Sequence, residues 1–243
     1  GAFHDYSEFV KKAKAHNIFV GVATDLLALT LLTPPGEWGA DCVMGSTQRF
    51  GQPMGFGSPA AGFFACQEVF KRQMPGRIIG ITVDAEGKRA VRMALQTREQ
   101  HIKREKATSN ICTASALTAI MAGFYGMWHG AEGLKKKATK INVLAGVLAR
   151  EAAKYGYKQY NEVYFDTVCL EVPEGMTTDD VQKVALEHKI NLNYWCECCF
   201  TVALDETVLL EDVNEILKVL AEAAHKEFHE YVCQQCANPA LNI

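Results

Sequence analysis

Tyr6-Ser-Glu-Phe-Val-Lys-Lys-Ala-Lys-Ala-His16 and, after Asn17, Ile18-Phe-Val-Gly-Val-Ala-Thr-Asp25 form the stretch whose reading decides the fold class. In the first part Phe9, Val10 and Ala13 recur at helical spacing, whereas Ile18 to Ala23 is a β-rich run without alternation. A helix leading into a continuously apolar strand predicts an α/β fold with a parallel sheet covered on both faces. The strand ends on Thr24-Asp25. Polar residues at the carboxyl end of such a strand are where α/β proteins place ligands.

Outward from this stretch, Pro34-Pro-Gly-Glu-Trp-Gly39 must be a loop, and Asp41 to Met44 is a second strand. The densest glycine region, Gly45-Ser-Thr-Gln-Arg-Phe-Gly-Gln-Pro-Met-Gly-Phe-Gly-Ser-Pro59, runs into a third apolar strand, Ala61 to Cys66. Arg77 to Asp84 and Lys88 to Leu95 alternate around Ala85-Glu-Gly87, which predicts a hairpin. A charged segment, Thr97 to Lys106, precedes Thr108-Ser-Asn110, a helix start, and two helices follow over Ile111–Trp128 and Leu134–Tyr155. Beyond them the pattern changes: a strand Val163–Val172, a helix Thr177–His188, strands Asn191–Tyr194 and Phe200–Leu204, and a long helix from Leu209 to about Cys233. This β-α-β-β-α order predicts a small α+β domain. The domain change is expected near His129–Gly133, dividing the chain into 1–129 and 130–243.

Composition narrows the function classes. Of 243 residues 49% are hydrophobic and 22% charged, the net charge is −3, and the pI is about 6.2, so no basic surface calls for nucleic acid or an anionic membrane. A small metabolite or another protein is the expected partner. The apolar stretch Ala114–Trp128 is too short to span a bilayer. Nine cysteines, an odd number, without a secretory leader predict reduced thiols in an intracellular compartment. The chain starts with Gly rather than Met, and reads as an excerpt of a longer protein.

Several motifs compete for the chemistry. Gly55-Phe-Gly-Ser-Pro-Ala60 matches G-x-G-x-x-A, but an apolar strand follows where dinucleotide binding needs a helix. Neither a P-loop nor G-x-S-x-G occurs. Cys196-Glu-Cys-Cys199 and Cys233-Gln-Gln-Cys236, with His225 and His229 placed at i and i+4 before Cys233, offer soft ligands for zinc. Thiols in strand-like sequence flanked by aromatics more often serve as small buried hydrophobes, so no metal is expected. Asp25 has two readings, a turn or helix cap and a charge partner for a cationic ring nitrogen. The Arg98, His101, Lys103, Arg104 and Lys106 run is either a solvated face or, with the Thr108/Ser109 helix start, an anion site.

Five stretches together resemble one family. They are Ala23-Thr-Asp-Leu-Leu-Ala-Leu29, Pro34 to Asp41, Gly45 to Gly57, Met74-Pro-Gly-Arg-Ile-Ile-Gly80 and Leu95 to Thr113, with Leu204-Asp-Glu-Thr207 in support. These resemble the glycine decarboxylase P-protein of the glycine cleavage system, in the later part of its amino-terminal half. The resemblance implies a fold-type I pyridoxal-phosphate transferase large domain over 1–129, followed by the small α+β domain over 130–243. It implies an oxidoreductase system in which glycine is decarboxylated, carbon dioxide leaves, and the aminomethyl group passes to the lipoyl arm of H-protein. It further implies the mitochondrial matrix in a eukaryote and the cytoplasm in a bacterium. The cofactor chemistry needs a Schiff-base lysine. No lysine occurs between Lys14 and Lys71, and Gln48 stands where the resemblance places that lysine. By the same comparison Asp25 matches the aspartate that pairs with the pyridine nitrogen. The chain is therefore expected to be inactive alone. Its expected role is to complete the site of the carboxyl-terminal half, or of a dimer mate, across a pseudo-twofold interface. Thr108, Ser109 and Asn110 would contact the cofactor phosphate there, with Asp25, Arg98 and His101 in supporting roles. Ser58 and Ala60, around Pro59, depart from the family's usual Gly and His. Two further readings are a purely structural interaction half and a zinc-bound Cys/His module.

Overall fold

The computed structural model describes residues 2–57, 60–74, 77–95, 100–107 and 115–232. They fall into two compact units, one of Ser7–Trp128 and one that joins residues up to Tyr6 to those from His129 onward.

In the first unit helix α1 (Ser7–Ala15) turns its Val10 and Ala13 inward, and strand β1 (Gly21–Ala23) follows. Strand β2 (Cys42–Ser46) pairs parallel to β1 and antiparallel to β3 (Gly62–Cys66), giving the order β1-β2-β3. The expectation of a fully buried first strand is corrected: Gly21 and Ala23 are exposed and Val22 is half-buried, because the described residues of this unit do not cover both sheet faces. Asp41 is buried just before β2. It accepts from the Val20 N–H at 2.8 Å and from the Lys14 ammonium, tying α1 to the sheet. Burial pushes the Asp41 carboxyl up, but these two donors outweigh it and hold the group below the usual carboxylate range. A separate hairpin, β4 (Ile78–Val83) and β5 (Arg89–Leu95), closes where Asp84 Oδ1 accepts from the Glu86 and Lys88 N–H groups. A short helix α2 (Gln100–Lys103) follows.

The long helix α3 (Ala116–Lys154) carries one residue off the helical path, Gly130 at φ 59° and ψ −177°. That region is open essentially to glycine alone. The sequence places two helices here, and Gly130 separates them.

In the second unit Ala138, Ile141, Ala145, Leu148 and Ala152 form the buried stripe of α3. Four antiparallel strands, β6 (Lys158–Gln159), β7 (Thr167–Glu171), β8 (Asn193–Tyr194) and β9 (Cys199–Ala203), run in the order β6-β7-β9-β8. Val168, Cys169 and Leu170 are buried in succession along β7, and Cys199, Phe200 and Val202 are buried on β9. Helices α4 (Thr178–Glu187) and α5 (Leu210–Ala223) pack on each other, with Val181, Ala185, Leu217 and Leu220 fully buried. His188 bridges them, its Nδ1 2.7 Å from Glu215 and its Nε2 3.0 Å from Glu222. Tyr157 donates to the Leu220 carbonyl at 3.0 Å. Near the chain start Ala2 bridges Tyr164, and the Phe3 N–H donates to the Val163 carbonyl. The last helix is shorter than its sequence pattern. It ends at Ala223, because His225 takes φ 54° and the Lys226 N–H returns to the Ala221 carbonyl. His225 and His229 therefore share no helix.

Candidate functional site

The candidate site lies in the first unit, where the glycine-rich loop leaves β2. At Gly45 a side chain has no room, since a Cβ would stand 2.1 Å from the Thr24 carbonyl oxygen and 2.7 Å from the Phe63 ring. Glycine lets β2 pass close beside the Thr24-Asp25 end of β1. Buried Thr47 then fixes the loop: its N–H and hydroxyl both donate to the Ala61 carbonyl, each at 2.9 Å. The Gln52 amide donates to Thr47 Oγ1 and to the Thr118 carbonyl, and its oxygen accepts from the Ala61 N–H. The Phe50 ring packs against Tyr125 with centroids 5.6 Å apart. The loop is thus held at both ends by backbone and side-chain bonds.

Within it, Gln48 takes an N–H bond to Ser46 Oγ at 3.1 Å, and Arg49 reaches back to Asp25 with Nε 3.7 Å from Oδ2. The other carboxylate oxygen of Asp25 accepts from the Ala28 N–H at 2.7 Å and caps the 3-10 turn Ala28–Thr30. Both oxygens of Asp25 are therefore engaged by this chain's own donors. The loop carries Gln48 and Arg49 and no imine-forming amine, and the aspartate already faces a guanidinium. The apolar cleft of about 360 Å³ beside Leu26, Pro34 and Phe63 contains neither Asp25 nor Gln48.

Of the other predicted site residues, Arg98, Thr108, Ser109 and Asn110 lie outside the described residues, and His101 is placed only as part of α2. Arg49 and Gln52 are contributors that sequence reasoning assigned no role. Arg49 sits 24 positions from Asp25 in an irregular loop, where no periodicity relates them, and its adjacency to Gln48 was the one available signal.

A polar-ended parallel strand pair, a glycine loop and a small α+β unit after a long helix define a fold-type I pyridoxal-phosphate enzyme scaffold. Solved structures share it: Lactobacillus brevis glutamate decarboxylase superposes with a TM-score of 0.62 at 13% identity over 93% of this chain and 52% of its own. An aspartate aminotransferase from Thermus thermophilus gives 0.62 at 17% identity, covering 92% and 62%. At such identities the likeness concerns the fold alone. The glycine decarboxylase (P-protein) of the glycine cleavage system, in inhibitor-bound form, gives 0.81 at 33% identity, covering 90% of this chain and 51% of that one. In sequence, the family profile of the glycine cleavage system P-protein matches residues 1–220, and the chain belongs to that family. A Bacteroides thetaiotaomicron glycine dehydrogenase (decarboxylating) is 50% identical over 95% of the chain, and a mitochondrial one from Flaveria anomala is 52% identical over 91%. The chain spans 24% and 21% of those two relatives' lengths.

Proposed function

We propose that this chain is the later part of a non-catalytic P-protein half, which completes the site of a lysine-bearing half acting on glycine. The observation that carries the reading is the Asp25–Arg49 pair beside Gln48 in a loop that has no lysine. In a complete protein the cofactor would supply the electron sink for decarboxylation, from the other half. This chain's contribution is then geometric. The Thr47–Gln52–Ala61 network holds the glycine loop as a fixed surface, and the Thr108-Ser-Asn110 segment supplies hydroxyl, amide and N–H groups to the cofactor phosphate. Glycine as substrate, H-protein as acceptor of the aminomethyl group, a pseudo-twofold partner and residence in the mitochondrial matrix or bacterial cytoplasm belong to the same proposal.

Two measurements test it. Given cofactor, the chain alone forms no borohydride-fixable link at a lysine, and such a link would assign the imine to this chain. In the complex with the lysine-bearing half, Thr108→Ala plus Ser109→Ala weakens cofactor affinity by about 100-fold or more while docking persists, as expected when two hydrogen bonds to a charged group are removed. Unchanged cofactor affinity removes the phosphate contact.

A further inference from the structure

Far in sequence from that loop, the turn entering β9 gathers thiols. Cys196 Sγ and Cys198 Sγ stand 3.2 Å apart, Cys198 Sγ and Cys199 Sγ 3.7 Å, and all three sulfurs lie within 4.8 Å of one another. Cys196 and Cys198 are exposed and Cys199 is buried. Two thiolates bound 2.3 Å from one tetrahedral zinc ion are about 3.8 Å apart, so the spacing is that of a metal-binding trio.

The turn is held rigidly by groups that leave the sulfurs alone. The Cys196 carbonyl accepts from the Thr178 hydroxyl at 3.0 Å, the Glu197 carbonyl from the Thr178 N–H at 2.9 Å, and the Cys198 carbonyl from the Val172 N–H at 2.9 Å. The Cys199 carbonyl accepts from the Trp195 N–H at 3.0 Å. Every carbonyl of the turn is thus anchored to the start of α4, the end of β7 or the turn itself. The Cys199 N–H returns to the Cys196 carbonyl at 3.4 Å and closes the turn on itself.

A disulfide explains the arrangement less well. Adjacent Cys198 and Cys199 have Cα atoms about 3.8 Å apart, short of the range disulfides favour. A Cys196–Cys198 bridge would leave the third sulfur's convergence without a purpose.

We propose that Cys196, Cys198 and Cys199 bind one thiophilic divalent metal ion, zinc by the chemistry of the donor set, with the fourth position open to water. This replaces the expectation of no metal, and it requires neither His225 nor His229. Binding replaces sulfur-bound protons with metal–sulfur bonds and releases those protons to solvent, so affinity rises with pH.

The test uses the full chain, freed of metal and kept under reductant, and titrated with Co²⁺. One equivalent is expected to produce a near-ultraviolet sulfur-to-cobalt band together with the strong visible bands of four-coordinate cobalt, and one equivalent of Zn²⁺ then abolishes both. Cys196→Ser and Cys198→Ser, exposed substitutions whose fold circular dichroism checks, each weaken binding more than about 100-fold, beyond the 10–100-fold that losing an outer-shell partner costs. Cys42→Ser, in the other unit, leaves it unchanged. In the unaltered chain Zn²⁺ slows alkylation of these three thiols, located by mass spectrometry. Binding without a sulfur band, a band that survives both substitutions, or alkylation rates indifferent to Zn²⁺ overturns the proposal.

Discussion

The carboxylate of Asp25 has two claims on it, a turn and a cofactor. One oxygen caps the Ala28 turn and the other faces Arg49. A residue so engaged stabilises its own unit whether or not a cofactor is near. Asp25→Ala should therefore lower the first unit's stability by about 1 kcal/mol, the usual worth of a cap, read as a shift in denaturation midpoint with unchanged slope. In the complex with a lysine-bearing half, cofactor affinity should stay within twofold. A large loss of affinity with intact stability would return Asp25 to the cofactor. The sequence names Asp25, Gln48 and a loop without lysine, since identities are read directly. It could not supply Arg49, because contact across an irregular loop leaves no trace in spacing.

At the level of elements, the bounds of α1 and α4 were legible to within about a residue, and the end of α5 was not. Thr177 begins α4 as its sequence announces, with the Thr177 N–H donating to Asp180 at 2.8 Å. The ends use a device with no glycine to advertise it. Asn17, Lys189 and His225 take φ values of 57°, 60° and 54°, and the N–H after each returns five residues, to Ala13, Ala185 and Ala221. Non-glycine residues hold this left-handed conformation at a cost. This is why α5 was expected to run ten residues too far. Lys189→Gly should raise stability by about 0.5–1 kcal/mol, measured by denaturant unfolding, because relief of the strain exceeds the added backbone entropy of the unfolded chain. A loss would mean that Lys189 makes a stabilising contact outweighing the strain. The weakly buried β1 has the opposite origin: its composition is that of a covered strand, whereas cover is a property of neighbouring layers.

At the scale of the whole molecule, a titratable contact joins the end of α4 to α5. In the second unit the hydrogen bond to Glu215, followed by that to Glu222, raises His188 above its usual range. A raised histidine adds stability that is fully present below its unfolded value of about 6.5 and disappears as pH climbs through the folded value. The unaltered chain should therefore gain over His188→Gln between about pH 5 and 6.5 and lose that margin at alkaline pH. Unfolding curves that differ by the same amount at every pH would contradict the clamp. The sequence pattern changes near Gly130, and the second compact unit takes up the chain from His129. What the pattern could not carry was that the first residues belong with the last unit, since one bridge between Ala2 and Tyr164 has no periodicity.

That bridge has a consequence during synthesis. Ala2 leaves the ribosome 162 residues before Tyr164, an interval of roughly 8–30 s at ordinary elongation rates. Until Tyr164 emerges, the strand edge at Ala2 and Phe3 waits without its mate, and the nascent chain presents that edge to chaperones and to neighbouring copies alike.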